Sequence, residues 1–160
     1  MNRLYKWACG SQKRGLWLRF GGYFASSLAV FAFLFMLIRA LIFAPITALM
    51  ILLILGPPFV LVSLLRRLIN APRPYEAEDF SGPVPKKKSG RSFPSRHAFS
   101  IFAIGTLCLF FSLPLGALTL AFGVFLCFCR VALGIHFVRD VLCGAIAGIL
   151  TSIIGALILL

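Results

Sequence analysis

Residues 130–160 read RVALGIHFVRDVLCGAIAGILTSIIGALILL. Arg130, His136, Arg139 and Asp140 crowd its beginning, and from Val141 to Leu160 there is no charge at all. An apolar run of roughly 18 residues or more reaches across a hydrocarbon core of about 30 Å as a helix. The stretch therefore reads as a membrane span, from about Phe137 to Leu160, with ionisable groups gathered at its start. Working back along the chain, four more apolar runs have similar character. A first span is expected from about Leu18 to Leu37, with Arg19 near its start and able to snorkel to the interface. Arg39 and Pro45 bracket a short turn. A second span is expected from about Leu41 to Leu65, where Pro57-Pro58 should kink or split the helix. One crossing is the simpler reading, because neither half is long enough alone. A third begins near Pro94 and ends near Leu113, and a tight turn at Pro114 and Gly116 leads into a fourth, about Leu118 to Cys129.

Composition agrees with this pattern. Hydrophobic residues make up 61% of the 160-residue chain and charged ones 12%, and the mean hydropathy is +1.01. A water-soluble domain of this size needs a far more polar surface. The expected fold is an all-α integral membrane helical bundle of about five transmembrane helices, with one domain over residues 1–160. Residues 1–16 form a basic N-terminal segment, and a polar loop between the second and third spans covers residues 66–95. The first apolar stretch reads as a retained helix rather than a cleaved signal. No internal repeat is evident.

The net charge is +12, from sixteen Lys and Arg against Glu76, Glu78, Asp79 and Asp140. In a soluble chain that imbalance points to nucleic acid; here the bases flank apolar spans, so anionic lipid headgroups are the expected partner and nucleic acid is not. Five crossings put fifteen of the sixteen bases on one face and leave Arg39 on the other. By the positive-inside rule this face is cytoplasmic, in a multi-pass cell-membrane protein; a re-entrant second segment would reverse it. The five cysteines, Cys9, Cys108, Cys127, Cys129 and Cys143, show no CxxC spacing and read as small hydrophobes.

Three short segments lie at span ends on that face: Arg66, six residues, Arg73-Pro74; Pro94-Ser95-Arg96-His97; and Arg130, five residues, His136, three residues, Asp140. Ionisable groups beside hydrocarbon are expensive and usually functional. Arg66 and Arg73 suit either lipid headgroups or a phosphate dianion, which a guanidinium grips with a planar fork of donors. Ser95 reads as a helix N-cap, and the N–H groups behind it suit an anion. His97 in the first turn then stands close enough to donate a proton. His136 and Asp140 are one helical turn apart; the carboxylate either clamps the last helix or orients an imidazole for attack. Arg130 folds back across the turn at Gly134 toward the same anion.

Taken together, the segments closely resemble the signature of the type 2 phosphatidic acid phosphatase family, whose relatives include membrane lipid phosphatases and vanadium-dependent haloperoxidases. That signature runs Lys-x6-Arg-Pro, Pro-Ser-Gly-His, then Ser-Arg-x5-His-x3-Asp. The match spans residues 66 to 140 with order and internal spacings kept. Arg66 stands for the usual Lys, Arg96 for Gly, and Cys129 for Ser. The family core commonly has six spans, one more than is counted here.

The resemblance implies a metal-independent phosphatase without cofactor, in which His136 attacks phosphorus, Asp140 orients it, and His97 protonates the leaving group and later activates water. Arg66, Arg73, Ser95, the Arg96 backbone and Arg130 would hold the phosphoryl oxygens. No cluster of carboxylates suited to magnesium is evident either. The expected substrate is a lipid phosphomonoester, with an isoprenoid (undecaprenyl-type) diphosphate as the alternative and a non-catalytic protein binding anionic lipid as the further one. Oligomeric state is left open.

Overall fold

The computed structural model describes residues 2–77 and 90–159. The Lys86-Lys87-Lys88 run and most of the expected polar loop lie outside the described residues. Seven helices follow in order: α1 (Asn2–Cys9), α2 (Gln12–Phe43), α3 (Pro45–Ile69), α4 (Pro74–Ala77), α5 (Arg96–Leu109), α6 (Leu113–Ala132) and α7 (Val138–Leu159). Among the described residues, α2, α3, α6 and α7 are long and apolar enough to cross a membrane. Helix α5 has 14 residues and is shorter, about 21 Å at ~1.5 Å per residue.

The long helices bury small side chains and expose large apolar ones. In α2 the buried stripe is Gly15, Leu18, Gly22, Ala25, Ala29, Ala32, Met36 and Ala40, three or four residues apart. Trp17, Phe20, Phe24, Phe31 and Ile38 of the same helix point outward. In water such a surface is a liability; in hydrocarbon it is matched to its solvent, and small residues let helix backbones approach. Helix α5 sits at the centre of the bundle, packed on α2, α3, α6 and α7. Its contact with α7 is the closest. A Cβ on Gly148 would meet the backbone nitrogen of Ala103 at 2.9 Å, and one on Gly144 that of Phe99 at 3.2 Å. Ser152 Oγ donates to the Ala103 carbonyl at 2.7 Å across the same seam.

Several boundaries differ from the sequence expectation. Helix α2 runs through Arg39 to Phe43, and α3 starts at Pro45, with Ala44 alone between them. Arg39 does not break the helix because its Nη1 donates at 3.2 Å to the carbonyl of Phe111, beyond the end of α5. Pro45 takes the first turn of α3, where its missing N–H costs nothing. Pro57 and Pro58 lie inside an uninterrupted α3, flanked by the buried Ile54, Leu55 and Val62, in line with the single crossing expected there. The helix continues past Leu65 to Ile69 and stops where Asn70 takes a left-handed conformation (φ 43°). The basic N-terminal segment holds a helix of its own: Tyr5 and Ala8 of α1 are buried while Lys6 and Trp7 face outward.

Candidate active site

The turn between α6 and α7 carries the central residue. Gly134, with φ 65°, donates to the carbonyl of Val131 (3.0 Å), while Ile135 donates to that of Arg130 (3.0 Å). This is a Schellman arrangement, which stops α6 and needs a left-handed residue at its centre. His136 N–H also donates to the Arg130 carbonyl, at 3.3 Å. The five-residue interval between Arg130 and His136 is thus the length of one helix stop. The Tyr5 ring of α1 packs over Gly134 and leaves no room for a Cβ there.

Asp140 lies in the first turn of α7 and has two tasks. Its Oδ2 accepts from the Phe137 N–H at 3.0 Å, returning a bond to the residue that caps the helix. The same oxygen is 3.6 Å from His136 Nδ1, beyond a normal hydrogen bond. Ser92 bridges the gap: its hydroxyl donates to Asp140 Oδ2 and lies 3.4 Å from His136 Nδ1. Asp140 Oδ1 is buried without a hydrogen bond among the described residues, although Arg139 Nε stands 3.7 Å away. The carboxylate thus closes the first turn of α7 and also stands beside the imidazole.

Ahead of α5, Ser95 caps the helix by accepting from the Ala98 N–H at 3.5 Å, and its own N–H donates to the Asp140 carbonyl at 2.9 Å. Ser95 is fully buried and lies behind the cavity wall rather than on it. Arg66 and Arg73 are largely buried and fixed by main-chain carbonyls. Arg66 donates from Nη1 to Pro94 O at 2.8 Å and from Nη2 to Arg91 O. Arg73 Nε donates to Gly90 O at 3.0 Å. Glu76 accepts from the backbone N–H of Arg73 (2.8 Å) and of Gly90 (2.9 Å), closing the ends of the segment between them.

These elements wall one cavity of about 740 Å³, on which His97, His136, Arg66, Arg73, Arg96 and Arg130 all open. Sequence order scatters them over more than sixty positions, and the antiparallel course of α3, α5, α6 and α7 brings their ends to one level. His97 keeps an exposed surface toward the cavity, whereas His136 is 2% exposed. Arg130 Nε is buried with no hydrogen-bond partner among the described residues. A buried, unpartnered guanidinium donor is costly, and a wall of arginines around such a donor fits an anion of two charges.

Sequence reasoning missed several wall residues. Arg19, Gly22 and Tyr23 of α2 line the cavity, as does Arg67. Arg19 had been assigned to the interface, and nothing local marks Tyr23 as facing inward. Ser92 lies just ahead of the Pro94 segment and carried no signal of its own. Arg96 projects from the first turn of α5 with its guanidinium 5.6 Å over the Phe59 ring, so the bulky replacement for glycine is parked on α3 beside the cavity.

Burial pushes the His136 imidazole below its ordinary range, and the opposing pull of Asp140 does not cancel it. A lowered value keeps the ring neutral, and therefore nucleophilic, to lower pH. The acid limb of kcat/KM is accordingly expected below about 6.5. A pH–rate profile with that limb at or above the ordinary imidazole value would contradict it.

No curated protein sequence matches this chain. Solved structures that share its fold include two that cover nearly all of this chain. Aquifex aeolicus LpxE is 26% identical, with 96% of this chain and 93% of that one covered and a TM-score of 0.72. The transmembrane PAP2 type phosphatidylglycerolphosphate phosphatase from Bacillus subtilis is 22% identical, with 98% and 82% covered and a TM-score of 0.75. The family model described as the PAP2 superfamily matches residues 46–159, which takes in both imidazoles, Asp140, Arg66, Arg73, Arg96 and Arg130. By that match, the chain belongs to the PAP2 superfamily.

Proposed function

We propose that this protein is a membrane-embedded phosphatase that hydrolyses a lipid phosphomonoester through a phosphohistidine on His136. One observation carries the reading: two imidazoles and the guanidiniums of Arg66, Arg73 and Arg130, one with an orphaned buried donor, share a cavity at the end of apolar helices. The arginines neutralise the phosphoryl oxygens, and preorganised charge of this kind is commonly the largest catalytic contribution. The His136 ring nitrogen remote from Asp140 attacks phosphorus, and the bond to the lipid oxygen breaks. His97 gives that oxygen its proton. Water, deprotonated by His97, then displaces His136 and releases inorganic phosphate. Asp140 stabilises the positive ring in between.

In this reading α2, α3, α5, α6 and α7 all traverse the bilayer, and the shorter α5 is surrounded by the other four. The excess of bases at the cavity end supports a cytoplasmic site. Thiol labelling from either side of a cysteine replacing the exposed Arg139, in a background lacking the native cysteines, reads the face directly.

The test is phosphate release by purified protein in EDTA from phosphatidic acid, phosphatidylglycerophosphate, and prenyl mono- and diphosphates. Release from a monophosphate lipid, unaffected by EDTA, is the expected result; no release from any of them, or a strict magnesium requirement, overturns the proposal. A second reading, a lipid diphosphate, has one observation in its favour. Arg19, Arg67 and Arg96 also line the cavity, and among the described residues none is paired with a carboxylate. That is more positive charge than one phosphoryl group needs. Preference for the prenyl diphosphate over its monophosphate, lost in Arg96→Gly, would favour it.

A further inference from the structure

Ser92 is fully buried, between the start of α5 and the start of α7, in a segment held by its own N–H donating to the Ala71 carbonyl at 2.9 Å. Nothing in the mechanism above uses it. Its hydroxyl nevertheless touches both members of the pair on which that mechanism depends.

The donor count around Asp140 Oδ2 decides what the hydroxyl does. That oxygen already accepts from the Phe137 N–H at 3.0 Å and from Ser92 Oγ. Two donors occupy it, and His136 Nδ1 stands off at 3.6 Å. With its single proton committed to the carboxylate, Ser92 Oγ can only accept from the imidazole, whose Nδ1 is 3.4 Å away. Both oxygens near Nδ1 are then acceptors, and a proton on Nδ1 satisfies them.

We propose that Ser92 is a positioning residue for His136: its hydroxyl accepts the Nδ1–H and passes a hydrogen bond on to Asp140, fixing the tautomer that leaves the far ring nitrogen unprotonated. The carboxylate thus acts on the ring through a serine rather than by direct contact. The inference deepens the phosphatase reading and rests on it for its kinetic consequence, but the tautomer itself is independent of turnover. When His136 is phosphorylated and the ring becomes positive, the Nδ1–H strengthens its bond to Ser92, and the Ser92 hydroxyl its bond to the carboxylate.

The chain contains two histidines, so ¹⁵N-histidine NMR of the full-length protein in lipid nanodiscs resolves the ring of interest, with His97→Gln identifying it. The wild type is expected to show His136 protonated at Nδ1. Ser92→Ala is expected to lower that population and to reduce kcat by about 10–100-fold, the range typical when a group behind an active-site histidine is removed, with KM changed less than about twofold. Ser92→Thr keeps the hydroxyl and is expected to restore both, which also covers the case in which Ser92→Ala yields no folded protein. An Nδ1 lone pair in the wild type overturns the proposal. So does Ser92→Ala with unchanged kcat, or with reduced kcat and an unchanged tautomer. If the wild type has the expected tautomer but releases no phosphate from any lipid, the phosphatase reading fails while the placement of the proton stands.

Discussion

His136→Ala is expected to reduce phosphate release by on the order of 10⁴-fold or more, leaving a folded membrane protein. The size of the effect follows from what the residue does: without a nucleophile there is no covalent intermediate, and the remaining arginines only bind and orient substrate. Folding should survive because the turn around His136 is held by main-chain bonds to Arg130 and by Gly134, not by the imidazole. Substrate affinity should change little, since Arg66 and Arg73 keep their carbonyl anchors. Two measurements check it. Steady-state release with phosphatidic acid gives the loss of turnover, and rapid quenching with a radiolabelled lipid phosphate traps acid-labile, alkali-stable phosphoprotein in the wild type and none in the variant. Near-normal turnover in His136→Ala would remove the proposed nucleophile, whatever the cavity looks like.

The local geometry at the helix ends was legible in the sequence because each segment is nearly self-contained. Arg130 to His136 is one Schellman stop, Ser95 to His97 is one capped first turn, and Asp140 closes the first turn of the next helix. Such local constraints leave traces at fixed spacing. The membrane setting was legible from the uncharged runs, which declare their solvent directly. What the sequence hid depends on registration between distant helices. Arg19 and Tyr23 face the cavity because they border the buried stripe at Gly15 and Gly22, and Gly22 packs on Leu126 and Cys129 of α6, a hundred residues away. Ser92 matters because α5 and α7 meet at Gly144 and Gly148 closely enough to bring its hydroxyl to Asp140. The run of α2 through Arg39 was missed for the same reason. A charge is a breaker only when no partner from elsewhere satisfies it.

His97→Ala is expected to cost about 10²–10⁴-fold in kcat with a lipid alkyl phosphate, the range for a general acid–base group, and the loss should depend on the leaving group. An alkoxide is a poor leaving group and needs its proton in the transition state; p-nitrophenolate departs without one. With p-nitrophenyl phosphate, cleavage of the ester therefore tolerates the missing imidazole, while the second step, which needs water activated by the same residue, does not. The variant should then give a burst of p-nitrophenol followed by slow turnover, with phosphoprotein accumulating on His136. His136→Ala should show no burst with either substrate, so the two variants separate the roles of two imidazoles that open on one cavity. Equal losses with the alkyl and the nitrophenyl substrates, and no accumulation of phosphoprotein, would show that His97 acts only by binding the phosphate, and the proton for the departing lipid would have to come from water in the cavity.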